Sequence, residues 1–244
     1  MKKIILILSA VVLVTSCWEV TLPEEPGATS GKTVIIAGTQ SNVLISGEAG
    51  TATFTVSTSN IAASATGMVQ WYDDVAGISP IDAGQLHFVL ISASVSTGSA
   101  TRTLTVSIGS DSAPGIYWFR VTIDGVQSSN VGVLVIGEKT VVVGTQEGTV
   151  EQRAGGTATY TVTTTYIDMS EAGFVNWYSD AAGVQYMSAP PPEINFIGSP
   201  TVSTGSETRT LTFTVGPASG AAGTFYFRVT VGDVESNVGM LQIN

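Results

Sequence analysis

Residues 50–56 read Gly-Thr-Ala-Thr-Phe-Thr-Val, with Ala52, Phe54 and Val56 on one side and Thr51, Thr53 and Thr55 on the other. Apolar residues at every second position mark a strand with one buried face. Residues 101–108 repeat the pattern, with Leu104, Val106 and Ile108 inward and threonines outward. A third run covers 116–123 and is followed by Asp124-Gly125, a pair suited to a two-residue hairpin turn into the next strand. Gly232-Asp233 takes that place later in the chain. Few stretches show helical periodicity. Short apolar runs divided by Gly, Pro, Asn and Ser predict an all-β chain.

The runs occur twice. Val69-Gln70-Trp71-Tyr72 returns as Val175-Asn176-Trp177-Tyr178, and Phe119-Arg120-Val121-Thr122 as Phe227-Arg228-Val229-Thr230. Thr-Arg-Thr-Leu-Thr at 101–105 returns at 208–212, and Ser-Asn-Val-Gly at 129–132 returns at 236–239. The blocks keep their order at an offset of 106 to 108 residues, the size of a whole domain rather than of a solenoid unit. The expected boundaries are 32–137 for a first domain and 138–244 for a second. The short join after Gly137 predicts an end-to-end pair with limited bending.

Each copy carries about seven strands, and two regions give it a family likeness. Trp71 lies about fifteen residues after the strand at 50–56, the place of the buried strand-C tryptophan of immunoglobulin domains. The segment 111–119, Asp-Ser-Ala-Pro-Gly-Ile-Tyr-Trp-Phe, resembles that family's approach to strand F. The resemblance puts Tyr117 in the tyrosine corner and Phe119 where the second cysteine would be, with Phe54 or Val56 as its strand-B partner. It therefore implies an all-β fold of two tandem immunoglobulin-like antiparallel β-sandwiches, with apolar contacts replacing the disulfide. Phe225 stands in place of Tyr117 in the second copy, so the corner hydroxyl bond is expected only in the first. A fibronectin-III sandwich would give a similar pattern.

The N-terminus is different. Met1-Lys2-Lys3 is basic and residues 4–14 are almost wholly apolar, too short for a comfortable membrane span but suited to a signal-peptide core. Val14-Thr15-Ser16-Cys17 follows and resembles the bacterial lipobox. The resemblance implies a signal peptide at 1–16, a diacylglycerol on Cys17, and a membrane anchor worth about 0.8 kcal/mol per buried methylene. An ordinary cleaved signal with an incidental cysteine is the alternative. Residues 17–31, rich in Pro, Glu, Gly and Ser, read as the lipidated cysteine and a flexible tether. The location this implies is the bacterial cell envelope, at the outer membrane, on its periplasmic or exposed side.

Composition narrows the function. The chain is 43% hydrophobic and 11% charged, enough for two cores. Its net charge is −10, and removal of Lys2 and Lys3 makes it more negative by two. A surface of that sign repels phosphate backbones, so nucleic acid is not an expected partner. Cys17 is the sole cysteine, which rules out an intrachain disulfide. The single His87 has no nucleophile beside it, and Asp73-Asp74 lacks the spacing of a calcium loop and reads as a polar turn. Pro190-Pro191-Pro192 reads as a stiff connector. No enzyme activity, cofactor or metal is expected.

One set of residues stands out. With Trp71, Tyr117 and Phe119 inward, alternation turns Tyr72, Trp118 and Arg120 outward on neighbouring strands, with Tyr178, Tyr226 and Arg228 at the matching places of the second copy. Val133 and Met240 can join them from the next strand. Aromatics with Arg on an exposed sheet face are common interface anchors, although arginine stacked on a ring for structural reasons, or a cover from loop 73–86, would read the same way. The expected function is a non-catalytic binding or adhesion module for an unknown protein or glycan. The alternatives are a structural spacer or envelope-assembly component, and a carbohydrate-binding module.

Overall fold

The computed structural model describes residues 31–244 except positions 99 and 218; the expected signal peptide, Cys17 and the expected tether up to residue 30 lie outside the described residues. The first half contains ten strands: β1 (Thr33–Ile36), β2 (Leu44–Ile45), β3 (Gly50–Ser59), β4 (Gly67–Tyr72), β5 (Pro80–Ile81), β6 (Leu90–Val95), β7 (Thr101–Ile108), β8 (Gly115–Ile123), β9 (Val126–Gln127) and β10 (Gly132–Gly137). The second half repeats them as β11 (Thr140–Val143), β12 (Val150–Glu151), β13 (Gly155–Thr165), β14 (Gly173–Tyr178), β15 (Tyr186–Met187), β16 (Thr201–Val202), β17 (Thr208–Val215), β18 (Gly223–Val231), β19 (Val234–Glu235) and β20 (Gly239–Ile243). Among the described residues no helix is long and apolar enough to cross a membrane.

Each half is an immunoglobulin-like β-sandwich. In the first, β1-β3-β7-β6 forms one face and β4-β8-β10-β2 the other. The faces join at one edge through the single pair Gly67↔Val95. The order matches the A-B-E-D and C-F-G arrangement of the family, with β2 added parallel to β10. In the second half β16 meets β14 through Gly173↔Val202 in the same way.

Alternation places the core. Ala52, Phe54, Val56, Leu104, Val106, Ile108, Phe119 and Val121 are all buried, as period two requires. Trp71 is buried and packs on Phe88 and Phe119, with ring centroids 5.0 and 5.4 Å apart. Phe119 meets Phe54 edge-on at 4.9 Å, so two aromatic rings stand where the family has its disulfide. Such a pair contributes about 0.5–1.5 kcal/mol beyond its buried area. In the second half Tyr160 and Phe227 meet at 5.1 Å. The Tyr117 hydroxyl donates to the Ala113 carbonyl at 2.9 Å, forming the corner, and burial pushes this phenol's pKa up. Phe225 has no hydroxyl to do the same.

Two repeated motifs acquire a physical reason. Asn130 binds both main-chain groups of Ile36, accepting from its N–H at 2.9 Å and donating to its C=O at 2.8 Å. Asn237 does this to Val143. The side-chain amide thereby ties β1 to the start of β10. Two residues on, a Cβ on Gly132 would lie 2.3 Å from the Phe119 ring, and one on Gly239 would lie 2.5 Å from Phe227. Only glycine lets the ring pass under that strand.

Thr-Arg-Thr-Leu-Thr hides a buried charge. Arg102 and Arg209 are each 1% exposed, among the largest fully buried side chains. Arg102 donates to the carbonyls of Ala65 at 2.5 Å and Ala62 at 2.8 Å, tying the loop before β4 to β7. Arg209 donates to Glu171 and, at 2.9 Å, to Asp168. The Asp124-Gly125 turn, with both residues at positive φ, leads into β9 rather than directly into β10. At Ser128–Val131 the chain breaks step before β10 begins. Glu138 and Lys139 alone separate β10 from β11.

Candidate functional site: the outer face of β8 and β10

The residues that alternation turns outward from β8 are Ile116, Trp118, Arg120 and Thr122, and those from β10 are Val133 and Val135. Val133 lies opposite Trp118, and Val135 opposite Ile116. These are the narrow pairs of the antiparallel ladder. Their main-chain groups point away from the partner strand, as the Val135 N–H shows by bonding Gln40 Oε1 at 2.7 Å. Side chains on narrow pairs approach closely. The result is a four-residue apolar patch: Ile116 is 55% exposed, Val133 39% and Val135 36%, with Trp118 half-buried among them.

Four of the six residues expected to form the face are otherwise engaged, and this corrects the sequence reading. Tyr72 and Tyr178 are 7% and 8% exposed. The Tyr72 hydroxyl accepts from Gln127 Nε2 at 2.7 Å. The Tyr178 hydroxyl donates to Glu235, whose carboxylate pushes the phenol pKa up to about 12. Arg120 donates to the carbonyls of Ser128 at 2.8 Å and Ala76 at 2.9 Å. Arg228 does the same with Ser236 at 3.0 Å and Ala182 at 3.2 Å, and sits 5.7 Å over the Tyr178 ring. Each arginine is thus a clamp across the sheet, with its buried Nε atom unpartnered among the described residues. Trp118 and Tyr226 remain at the surface, half-buried.

The loop that receives the clamp is shaped by a carboxylate. Asp74 accepts from the N–H groups of Ser79 at 2.6 Å and Ile78 at 3.1 Å. Asp180 accepts from Gln185 at 2.6 Å and Ala182 at 2.9 Å. These bonds hold both carboxyls below the usual range. Gly77 and Gly183, both near φ 64, let the arginine pass: a Cβ on either would stand 2.6 Å from its Nε atom. The aspartates are therefore occupied with backbone, and among the described residues no group of three His, Cys, Asp or Glu could hold a metal ion. His87 is exposed.

The two copies differ on this face. Thr224 and Gln242 replace Ile116 and Val135, and their side chains hydrogen-bond at 2.6 Å. Tyr226 and Met240 replace Trp118 and Val133. The patch is apolar in the first sandwich and half polar in the second. Sequence reasoning overlooked Ile116 and Val135, although both share the parity of residues it had singled out. It also overlooked Arg102 and Arg209.

No family model matches the chain, and no curated protein matches it in sequence. Solved structures similar to it include a three-domain I9-I11 fragment of titin, at 12% identity and TM-score 0.39, with 87% of this chain and 66% of the fragment covered. The titin Z1Z2 pair in complex with telethonin is 16% identical with TM-score 0.30, covering 88% of this chain and 98% of that one. InvD of Yersinia pseudotuberculosis is 13% identical with TM-score 0.30, covering 89% of this chain and 59% of that one. The chain thus spans just under two thirds of the titin fragment.

Proposed function

We propose that this chain is a non-catalytic lipoprotein of the bacterial cell envelope, tethered through Cys17 at the outer membrane, whose first sandwich binds a protein or glycan partner. The observation that carries the binding reading is the asymmetry of the β8–β10 face. Ile116, Trp118, Val133 and Val135 stand exposed or half-exposed in the first copy, while the second places Thr224 and Gln242 at two of these positions. Duplication alone would give both copies the same face. A contiguous exposed apolar cluster with an aromatic centre is the usual chemistry of a partner site. Tyr226 and Met240 form a smaller secondary face. Arg120, Arg228, Tyr72 and Tyr178 support these surfaces from below and beside them.

Replacing Trp118 with Ala tests the reading. Partner capture by intact cells should fall while the melting temperature stays within about 2 °C, the response of a surface residue. A melting temperature lowered well beyond that would assign Trp118 to the fold instead. Glycan arrays and cross-linking distinguish a sugar from a protein partner. Cys17→Ala should abolish incorporation of labelled palmitate, and protease shaving of intact cells reports which side of the membrane the sandwiches occupy.

A stiff spacer is a second reading, and the junction favours it. Lys139 pairs with Glu48 of the first sandwich at 2.7 Å and with Asp233 of the second at 3.6 Å. Glu48 holds the lysine pKa above its usual value. Tyr166, from the second sandwich, lies against Gly137. Spacer function alone predicts no effect of Trp118→Ala on any captured partner.

A further inference from the structure

Strand β10 turns from the apolar patch to a free edge. Val133 shares the parity of Val135, whose N–H and C=O are held by Gln40 at 2.7 and 3.0 Å. The N–H and C=O of Val133 therefore point away from β8 as well, and neither has a partner among the described residues. They open onto a groove of about 390 Å³ whose floor includes Ile36 and Phe54 and whose lining bears no charged side chain. Gln40 already imitates a neighbouring strand there, offering one donor and one acceptor to Val135.

The second sandwich has a groove of similar size, about 410 Å³, with Gln146 holding Gln242 as Gln40 holds Val135. Its acceptor, however, is taken. Tyr160 stands where Phe54 does, and its hydroxyl lies 2.8 Å from the Met240 carbonyl oxygen and 2.9 Å from Gln146 Oε1. Met240 is the counterpart of Val133. One oxygen atom thus separates an edge carbonyl satisfied from within from one left open.

We infer that the β10 edge of the first sandwich takes an extended, uncharged peptide segment of another polypeptide by strand addition. The segment's own N–H and C=O complement those of Val133, and an aliphatic side chain rests on Ile36 and Phe54. A paired donor and acceptor at strand spacing is what a peptide backbone satisfies, and alternate side chains then read the pockets. This inference shares Val133 with the proposed outer face but does not depend on Trp118.

The test uses the full chain and a fluorescein-labelled, Lys-flanked heptapeptide of alternating Val and Thr, read by fluorescence anisotropy. Saturable binding at one site per chain is expected. Phe54→Tyr should weaken it about ten-fold, because the new hydroxyl occupies the Val133 carbonyl, and Tyr160→Phe should open a second equivalent site. Both substitutions copy the residue that the sister sandwich already accommodates. If Phe54→Tyr fails to fold, the gain of a site in Tyr160→Phe decides. The same peptide with every amide nitrogen methylated should not bind. Equal binding of the methylated peptide, or affinity and stoichiometry unchanged in both variants, would overturn the inference. Retention of peptide binding in Trp118→Ala, with loss of the cellular partner, would show the groove and the face to be separate sites.

Discussion

Arg102→Met is the sharpest test of how the first sandwich is held. Methionine keeps much of the apolar stem and removes the guanidinium. The side chain is 1% exposed and donates to two carbonyls of the loop before β4. A hydrogen bond from a charged group contributes about 1.5–3 kcal/mol, so the two together contribute about 3–6. The buried Nε atom has no partner among the described residues, and an unsatisfied donor costs about 1–3 kcal/mol in the opposite direction. The net loss expected is about 3 kcal/mol. A domain of this size loses about 4–8 °C per kcal/mol, so its melting transition should fall by about 12–24 °C in differential scanning calorimetry. Arg102→Lys should recover part of this, since a point charge reaches one carbonyl where the fork reaches two. Buried charge clusters are sometimes replaced by apolar side chains without loss, because desolvation cancels the attraction. An Arg102→Met melting temperature within about 2 °C of the parent would mean that this cancellation holds here, and would refute the reasoning.

Three further outcomes follow from the geometry. Gly132→Ala and Gly239→Ala each force a methyl group into a phenylalanine ring, so chemical denaturation should show losses of about 1–3 kcal/mol or more, against near neutrality for Gly220→Ala, where an added Cβ meets nothing within 4 Å. The Tyr178 phenol, with its pKa raised to about 12, contributes stability that is intact below the ordinary tyrosine value near 10 and lost as pH rises through the folded value. Ultraviolet titration should therefore show late-ionising tyrosines, raised at Tyr117 and Tyr160 by burial and at Tyr178 chiefly by Glu235, of which Tyr178 alone moves back toward pH 10 in Glu235→Ala. Asp74 and Asp180 have depressed values, so their contribution is present above the unfolded carboxyl pKa near 4 and disappears as pH falls through the folded value. Asp74→Asn with Asp180→Asn should flatten the acid limb of a melting-temperature profile, and an unchanged limb would remove these carboxylates from the account.

Much of this protein is decided locally. Alternation in 50–56 and 101–108 fixes which side chains enter the core, because a strand offers only two faces and one of them must leave water. The duplication is visible in the linear order of the blocks, and the place of Trp71 relative to the 50–56 strand is set by chain length between turns. Even the outward direction of Trp118 and Val133 follows from parity alone. Cover is another matter. Tyr72 and Tyr178 face out by parity yet are buried, since β9, β19 and the arginine clamps reach them from segments tens of residues away, and local pattern carries no record of such contacts. Arg102 shows the converse conflict: its parity points inward while its charge favours water, and only carbonyls 37 and 40 residues distant settle the matter. The same holds at the β10 edge. The sequence displays Phe54 and Tyr160 as a mild substitution, but the significance of the hydroxyl arises from which carbonyl the assembled sandwich places 2.8 Å from it.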